Sequence, residues 1–258
     1  MLSIFEDIVT LIRDGRAAAL ATVILVNGSA PREPGAKMLV RNDGTTVGSI
    51  GGGKIEFEVC KQALEVISAG KPKVLHFDLT GTDADKDKMI CGGLMDVFVE
   101  PILSPPTLYI FGGGHISLSL VRIGKITGFR VVVIDERPEF ANRDRFPEAD
   151  EVLFKDFLDI FPQLKIDKSS YIVIVTRSHL SDKAVLEWAV STEAAYIGMI
   201  GSKKKINTIF ANLRSKGICD ESLKNVHSPI GLDINAETPE EIAVSILAEI
   251  IKVRRTAQ

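Results

Sequence analysis

The chain has 258 residues, 45% of them hydrophobic and 25% charged, with a net charge of −3 at pH 7. That length suits one large domain or two ordinary ones, and the composition is that of a water-soluble globular protein. The mild acidic balance gives no support for nucleic-acid binding as the main activity, and any basic site must be local. Three cysteines, Cys60, Cys91 and Cys219, are odd in number and too widely spaced for a metal clip. They indicate neither a disulfide framework nor a zinc site, and a cytoplasmic location is expected.

The chain opens with MLSIFEDIVTLIRDG. Glu6 and Asp7 interrupt its apolar pattern, so it reads as an amphipathic helix and not a signal peptide. No apolar run reaches the ~18 residues that would suggest a membrane span. Short apolar runs follow at residues 19–26, 37–40, 74–77 and 97–99, with glycine-rich turns between them and one helix over residues 55–68. This pattern predicts a small α+β domain over residues 1–104, closed by the proline-rich stretch Pro101-Ile-Leu-Ser-Pro105-Pro106.

Two loops of this half carry candidate chemistry. Arg32 and Lys37 flank a turn that either grips an anion or is a solvated hairpin loop. Gly51, Gly52 and Gly53, followed by Lys54, precede the helix; their amides form either an anion nest or a plain turn. Cys91 stands before Gly92 and Gly93 and reads either as a small apolar residue or as a thiol near a ligand.

From residue 105 to 258 the rhythm changes. Continuous apolar runs at residues 108–111, 131–134, 152–154, 171–175 and 196–200 alternate with helical stretches at 115–127, 182–190 and 203–216. Runs covered on both faces and separated by helices predict a Rossmann-type, doubly wound parallel sheet, giving an α/β chain overall. A closing helix begins at Thr238-Pro239-Glu240-Glu241, where Thr238 and Glu241 form a capping box.

The phosphate loop of this half is Gly112-Gly113-Gly114-His115. Gly112 permits the tight turn, and Gly114 lets amides approach a phosphate at the helix start. Ser117 takes the place of the third glycine. Asp135 ends the next strand about 20 residues on, where such folds keep a ribose-binding acid, and Arg137 keeps a phosphorylated ribose open as an alternative. His115 either contacts the ligand or is an exposed helix-start residue. Arg177 and His179 follow one strand, and Ser202 and Lys203 follow another. Both loops are therefore expected at the ligand crevice, with at most one or two of the three consecutive lysines, Lys203, Lys204 and Lys205, touching ligand. His227, in the loop before the closing helix, is a further candidate for the same site.

Several segments together resemble the xanthine dehydrogenase accessory factor family, the XdhC/CoxI-like proteins, over nearly the whole chain. They are GSAPREPGAKMLV, GSIGGGKIE, CGGLMDVFVEP, IFGGGHIS, VVVIDERPEFAN, VTRSHLSDKAVLEWA, YIGMIGSKKK and HSPIGLDINAETPEEIAVSILAEI, in that order. Gly113 departs from the alanine of many relatives and Ser117 from their glycine. The resemblance implies a maturation chaperone more than a turnover enzyme. Such a factor binds molybdenum cofactor (molybdopterin, plain or with an appended nucleotide). It assists exchange of an oxo ligand for sulfur with a cysteine desulfurase, and it delivers the product to a xanthine dehydrogenase-type apoenzyme. Cys91 then becomes the candidate catalytic residue and metal ligand, because a thiolate is a competent soft donor. Gly51, Gly52 and Gly53 become ligand-loop candidates, and Arg177, His179 and Lys203 suit a phosphorylated cofactor. A homodimer is compatible with the sequence.

Two other functions compete. An NAD(P)-dependent oxidoreductase fits the glycine loop and Asp135, although no proton donor is paired with a substrate pocket. A nucleotide- or redox-sensing module without turnover fits the same fold.

Overall fold

The computed structural model describes residues 2–79 and 93–256. The chain divides into two compact units, Met1–Ser104 and Pro105–Gln258.

In the first unit, helix α1 (Leu2–Arg13) is followed by β1 (Ala18–Asn27), β2 (Lys37–Arg41), β3 (Thr46–Gly48), α2 (Gly53–Ala69), β4 (Lys73–Asp78) and β5 (Leu94–Ile102). The strands form an antiparallel sheet in the order β3-β2-β1-β5-β4. Side chains alternate across it. Ala19, Ala21 and Val23 of β1 join Met38 and Val40 of β2 beneath α2, whereas Ala18, Leu20 and Leu39 face Ile4 and Leu11 of α1. Helices cover both faces of β1 and β2, which is why these strands read as continuous apolar runs and not as alternating ones. Helix α2 docks through Ile55, Val59, Ala63 and Val66, one stripe at helical spacing. Strand β3, only three residues long, carried no apolar run to announce it.

The second unit runs β6 (Thr107–Phe111), α3 (His115–Ile126), β7 (Arg130–Asp135), β8 (Glu151–Phe154), α4 (Phe157–Ile160), β9 (Ser170–Ile174), α5 (His179–Ala189), β10 (Tyr196–Met199), α6 (Lys203–Ser215), α7 (Asp220–Lys224), β11 (Val226–His227) and α8 (Pro239–Thr256). Its sheet is parallel throughout, in the order β11-β10-β9-β6-β7-β8. Two cores flank it. Leu108, Ile110, Val131 and Val133 pack with Ala243, Ile246 and Ile250 of α8 on one face. Tyr109, Phe111, Val132 and Ile134 pack with residues of α5 and α6 on the other. Burying each such aliphatic side chain contributes about 1.5–3 kcal/mol.

The expected cap of α8 forms. Glu241 Oε2 accepts from the amides of Glu237 and Thr238, and the Glu241 amide donates to Thr238 Oγ1. Among the described residues no helix is long and apolar enough to cross a membrane. The strand order reverses at β6, where the chain first moves out to β7 and β8 and later returns to β9. In open α/β sheets such a reversal opens a crevice at the carboxyl ends of the strands.

Candidate functional site

The turn after β6 sits at that reversal. Gly112 has φ 111°, and its amide donates to the Ile134 carbonyl of β7 at 2.8 Å. A Cβ here would strike the backbone of Val175, just past β9, so three strand ends converge on a position only glycine fills. The Gly113 amide donates to Asp135 Oδ2 at 2.7 Å, and its carbonyl accepts from Arg145 Nε at 2.9 Å. A Cβ at Gly113 would collide with the Phe140 carbonyl. Ser117, fully buried, donates its hydroxyl to the Gly112 carbonyl at 2.5 Å and ties the first turn of α3 to the loop.

Gly114 differs from both. It is the N-cap of α3 with φ −71°, and among the described residues no side chain caps that helix and a Cβ placed on Gly114 meets nothing within 4 Å. The first amides of α3 are therefore left without a side-chain acceptor at the positive end of a helix dipole, the arrangement that suits an anion. His115 is exposed beside them. Arg145 stands at the same turn with its guanidinium 5.1 Å from the Phe140 ring, and its buried Nη2 atom has no hydrogen-bond partner among the described residues.

Asp135 is only 3% exposed. Its carboxylate accepts from the Gly113 amide, from the Arg137 amide at 3.0 Å, and from Arg137 Nε and Nη2, both at 2.9 Å. Burial pushes its pKa up, but the Arg137 side chain and then the Gly113 amide outweigh this and hold it below the usual carboxylate range. The two residues expected to read a ribose are thus bonded to each other.

The remaining candidates of this unit also follow strand ends. Arg177 and His179 are exposed after β9, and Ser202 and Lys203 are exposed after β10. Here the chain closes its own helix starts. Ser178 Oγ accepts from the Ser181 amide at 3.0 Å, and Ser202 Oγ accepts from the Lys205 amide at 3.4 Å. Lys205 turns inward, contrary to a solvated lysine run. Its ammonium pairs with Asp182, which is fully buried and also accepts from the Thr176 hydroxyl at 2.6 Å. This buried pair fastens the loop carrying Arg177 and His179 to the start of α6. A cavity of about 380 Å³ opens between them, lined by His179, Ser202, Lys204, Lys205, Thr208 and Ile209. His227 is tied elsewhere, stacked on Tyr196 at 4.6 Å with Nδ1 3.4 Å from Glu249 Oε1.

In the first unit, the glycine nest exists, but the chain supplies its anion. Glu56 Oε1 accepts from the amides of Ile50, Gly51 and Gly52 at 3.0, 3.2 and 2.9 Å and from the Ser49 hydroxyl at 2.7 Å. The amides of Gly51 and Gly52, candidates for holding a ligand's anion, are bonded to this carboxylate. Gly53 begins α2. Lys37 donates to Thr22 Oγ1 at 3.0 Å, and Arg32 is exposed. Cys91, the candidate catalytic and metal-binding residue, lies outside the described residues. Among the described residues no group of three or more ligating side chains is placed to hold a metal ion.

Sequence reasoning passed over Glu56, Arg145 and Asp182. Glu56 had a signal, an acid in the first turn of a helix that follows a glycine run. Asp182 and Arg145 act across tertiary contacts that no local pattern marks.

Sheet order, glycine turn and uncapped helix start define a Rossmann-type domain preceded by a smaller α+β unit. The chain belongs to the XdhC and CoxI family: the XdhC Rossmann domain model matches residues 108–250, and the XdhC and CoxI family model matches residues 11–78. It is 33% identical to the uncharacterized protein YqeB of Escherichia coli over 99% of its own length and 47% of that protein's, so it spans about half of this relative. It is 24% identical to the molybdenum cofactor insertion chaperone PaoD of Escherichia coli, over 98% of this chain and 88% of that one. A crystal structure described as a xanthine dehydrogenase from Bacillus halodurans matches with a TM-score of 0.56 and 25% identity, covering 98% of this chain and 96% of the other.

Proposed function

We propose that the chain is an accessory factor that binds molybdenum cofactor as cargo and assists its sulfuration and its insertion into a xanthine dehydrogenase-type enzyme. The observation that carries this reading is the open start of α3. Gly114 leaves room and uncapped amides for a phosphate, while the chain's own serines already cap α5 and α6. The cofactor's terminal phosphate is the group those amides would hold, with His115 and the half-buried Arg145 beside them. Arg177 and Lys203 add positive charge at the same end of the sheet, and His179 adds a polar ring. Family membership and the name of the PaoD relative support the cargo. The reading includes a cysteine desulfurase as sulfur donor, a homodimeric state, and Cys91 as the thiolate facing molybdenum or sulfur.

The test is the molybdenum and pterin content of protein purified from molybdate-fed cells. The wild type is expected to carry both, and Gly114→Val, which fills the space at the helix start, to lose most of them while staying folded. Cys91→Ala is expected to keep the pterin and lose molybdenum. Wild-type protein that takes up no cofactor, even from a supplied excess, would sink the proposal.

A further inference from the structure

Rossmann domains that bind NAD use the carboxylate at the end of the second strand to accept from ribose hydroxyls. Asp135 holds that place at the end of β7, and a carboxylate has about four lone-pair sites. All four are taken by this chain. Arg137 supplies three of the donors, through its amide, Nε and Nη2, and Gly113 supplies the fourth. The guanidinium is further held 3.7 Å over the Phe140 ring. The pairing joins residues two apart in the chain and buries the carboxylate without help from any ligand.

We infer that Arg137 is a specificity-determining residue. By claiming Asp135 it closes the ribose position, so the Gly112–His115 loop takes a phosphate monoester that has no ribose diol behind it and rejects nicotinamide dinucleotides. A ribose would have to displace a forked, charge-assisted pair from a buried carboxylate. The phosphorylated ribose of NADPH meets a like obstacle, because the Nε–Nη2 side of Arg137 is bonded to Asp135 and the carboxylate beside it repels a second anion. The inference rests on the loop being a phosphate site, and it assigns the phosphate to a small pterin-type ligand and not to a dinucleotide.

The experiment titrates the full chain with NADH and with NADPH, following nicotinamide fluorescence. Wild type is expected to show no saturable binding. Arg137→Ala is expected to gain at least about tenfold in NADH affinity, and Arg137→Met, which keeps an apolar stem over Phe140, to do the same. Adding Asp135→Asn to either variant is expected to remove the gain, which a general loosening of the loop would not do. Wild type that binds either nucleotide as tightly as the variants overturns the inference, as does a gain that survives Asp135→Asn. Failure of both variants to bind NADH also overturns it. Cofactor content of the same wild-type preparation is read in parallel. Absent cofactor with the NADH pattern intact defeats the proposed function and leaves Arg137 its role; the reverse pattern defeats only the inference.

Discussion

The chain contains two glycine runs that each lead into a helix, and it treats them oppositely. At the first run the amides of Ile50, Gly51 and Gly52 close on Glu56, from the first turn of the helix the glycines introduce. At Gly112–Gly114 the first two glycines are consumed by packing and by Asp135, whereas the third leaves its helix uncapped with open space above it. A glycine-rich turn before a helix is therefore not by itself a binding site. What matters is whether an internal acceptor already satisfies the amides. The first run is a self-contained cap. The second keeps two of its glycines for architecture and leaves the third in open space at an uncapped helix start.

The largest test of this contrast is Asp135→Ala. It strands the Arg137 guanidinium and the Gly113 amide, and its expected cost in urea denaturation is about 3 kcal/mol, the low end for a broken buried pair. The low end applies because the Arg137 side chain, 20% exposed, is able to turn toward water. Gly113→Ala follows at about 1–3 kcal/mol, because the added methyl meets the backbone carbonyl of Phe140, which has no freedom to step aside.

Glu56→Ala is expected to cost about 1–2 kcal/mol by leaving three amides and a hydroxyl without their acceptor. It also carries a pH signature. Burial raises the Glu56 pKa, but bonds from Ser49 and from the Gly52, Ile50 and Gly51 amides overcome this and set it below the ordinary value. A carboxylate depressed in the folded state contributes fully above its unfolded pKa and loses that contribution as pH falls through the folded one. Wild type should thus lose stability into acid more steeply than Glu56→Ala, with the two converging at low pH. Equal slopes would show that Glu56 does not fill the nest in solution.

The smallest expected effect is the most pointed. Gly114→Ala should move stability by no more than about 0.5 kcal/mol, since its methyl meets no atom and its φ is ordinary, while lowering retained pterin. A Gly114→Ala variant as unstable as Gly113→Ala would erase the distinction between the architectural and the open glycine.

Much of this was legible before any coordinates. Apolar runs buried on both faces announced the parallel sheet, Thr238 and Glu241 announced the start of α8, and Gly112 announced the tight turn. Legibility failed where a side chain's partner is chosen in three dimensions. Arg137 reads from sequence as a group reaching for a ligand, yet it folds back two residues onto Asp135. Of three consecutive lysines, Lys205 turns inward because Asp182, on the preceding helix, waits there. The orphaned Arg145 Nη2 atom has no sequence signature, since its burial depends on Phe140 and Phe146 folding around it.

The central pairing of the antiparallel sheet has a consequence for how the chain is made. Strand β1 pairs along its length with β5, from Ala18 with Ile102 to Asn27 with Leu94. The first strand of this unit therefore waits for its last, and closing so long a loop makes the contact order high and folding slow. On the ribosome, a nascent chain halted before Leu94 holds β1 with one backbone edge unpaired and its apolar alanines and valines in reach of other chains. Chaperone demand during synthesis should peak before β5 emerges and fall once it docks.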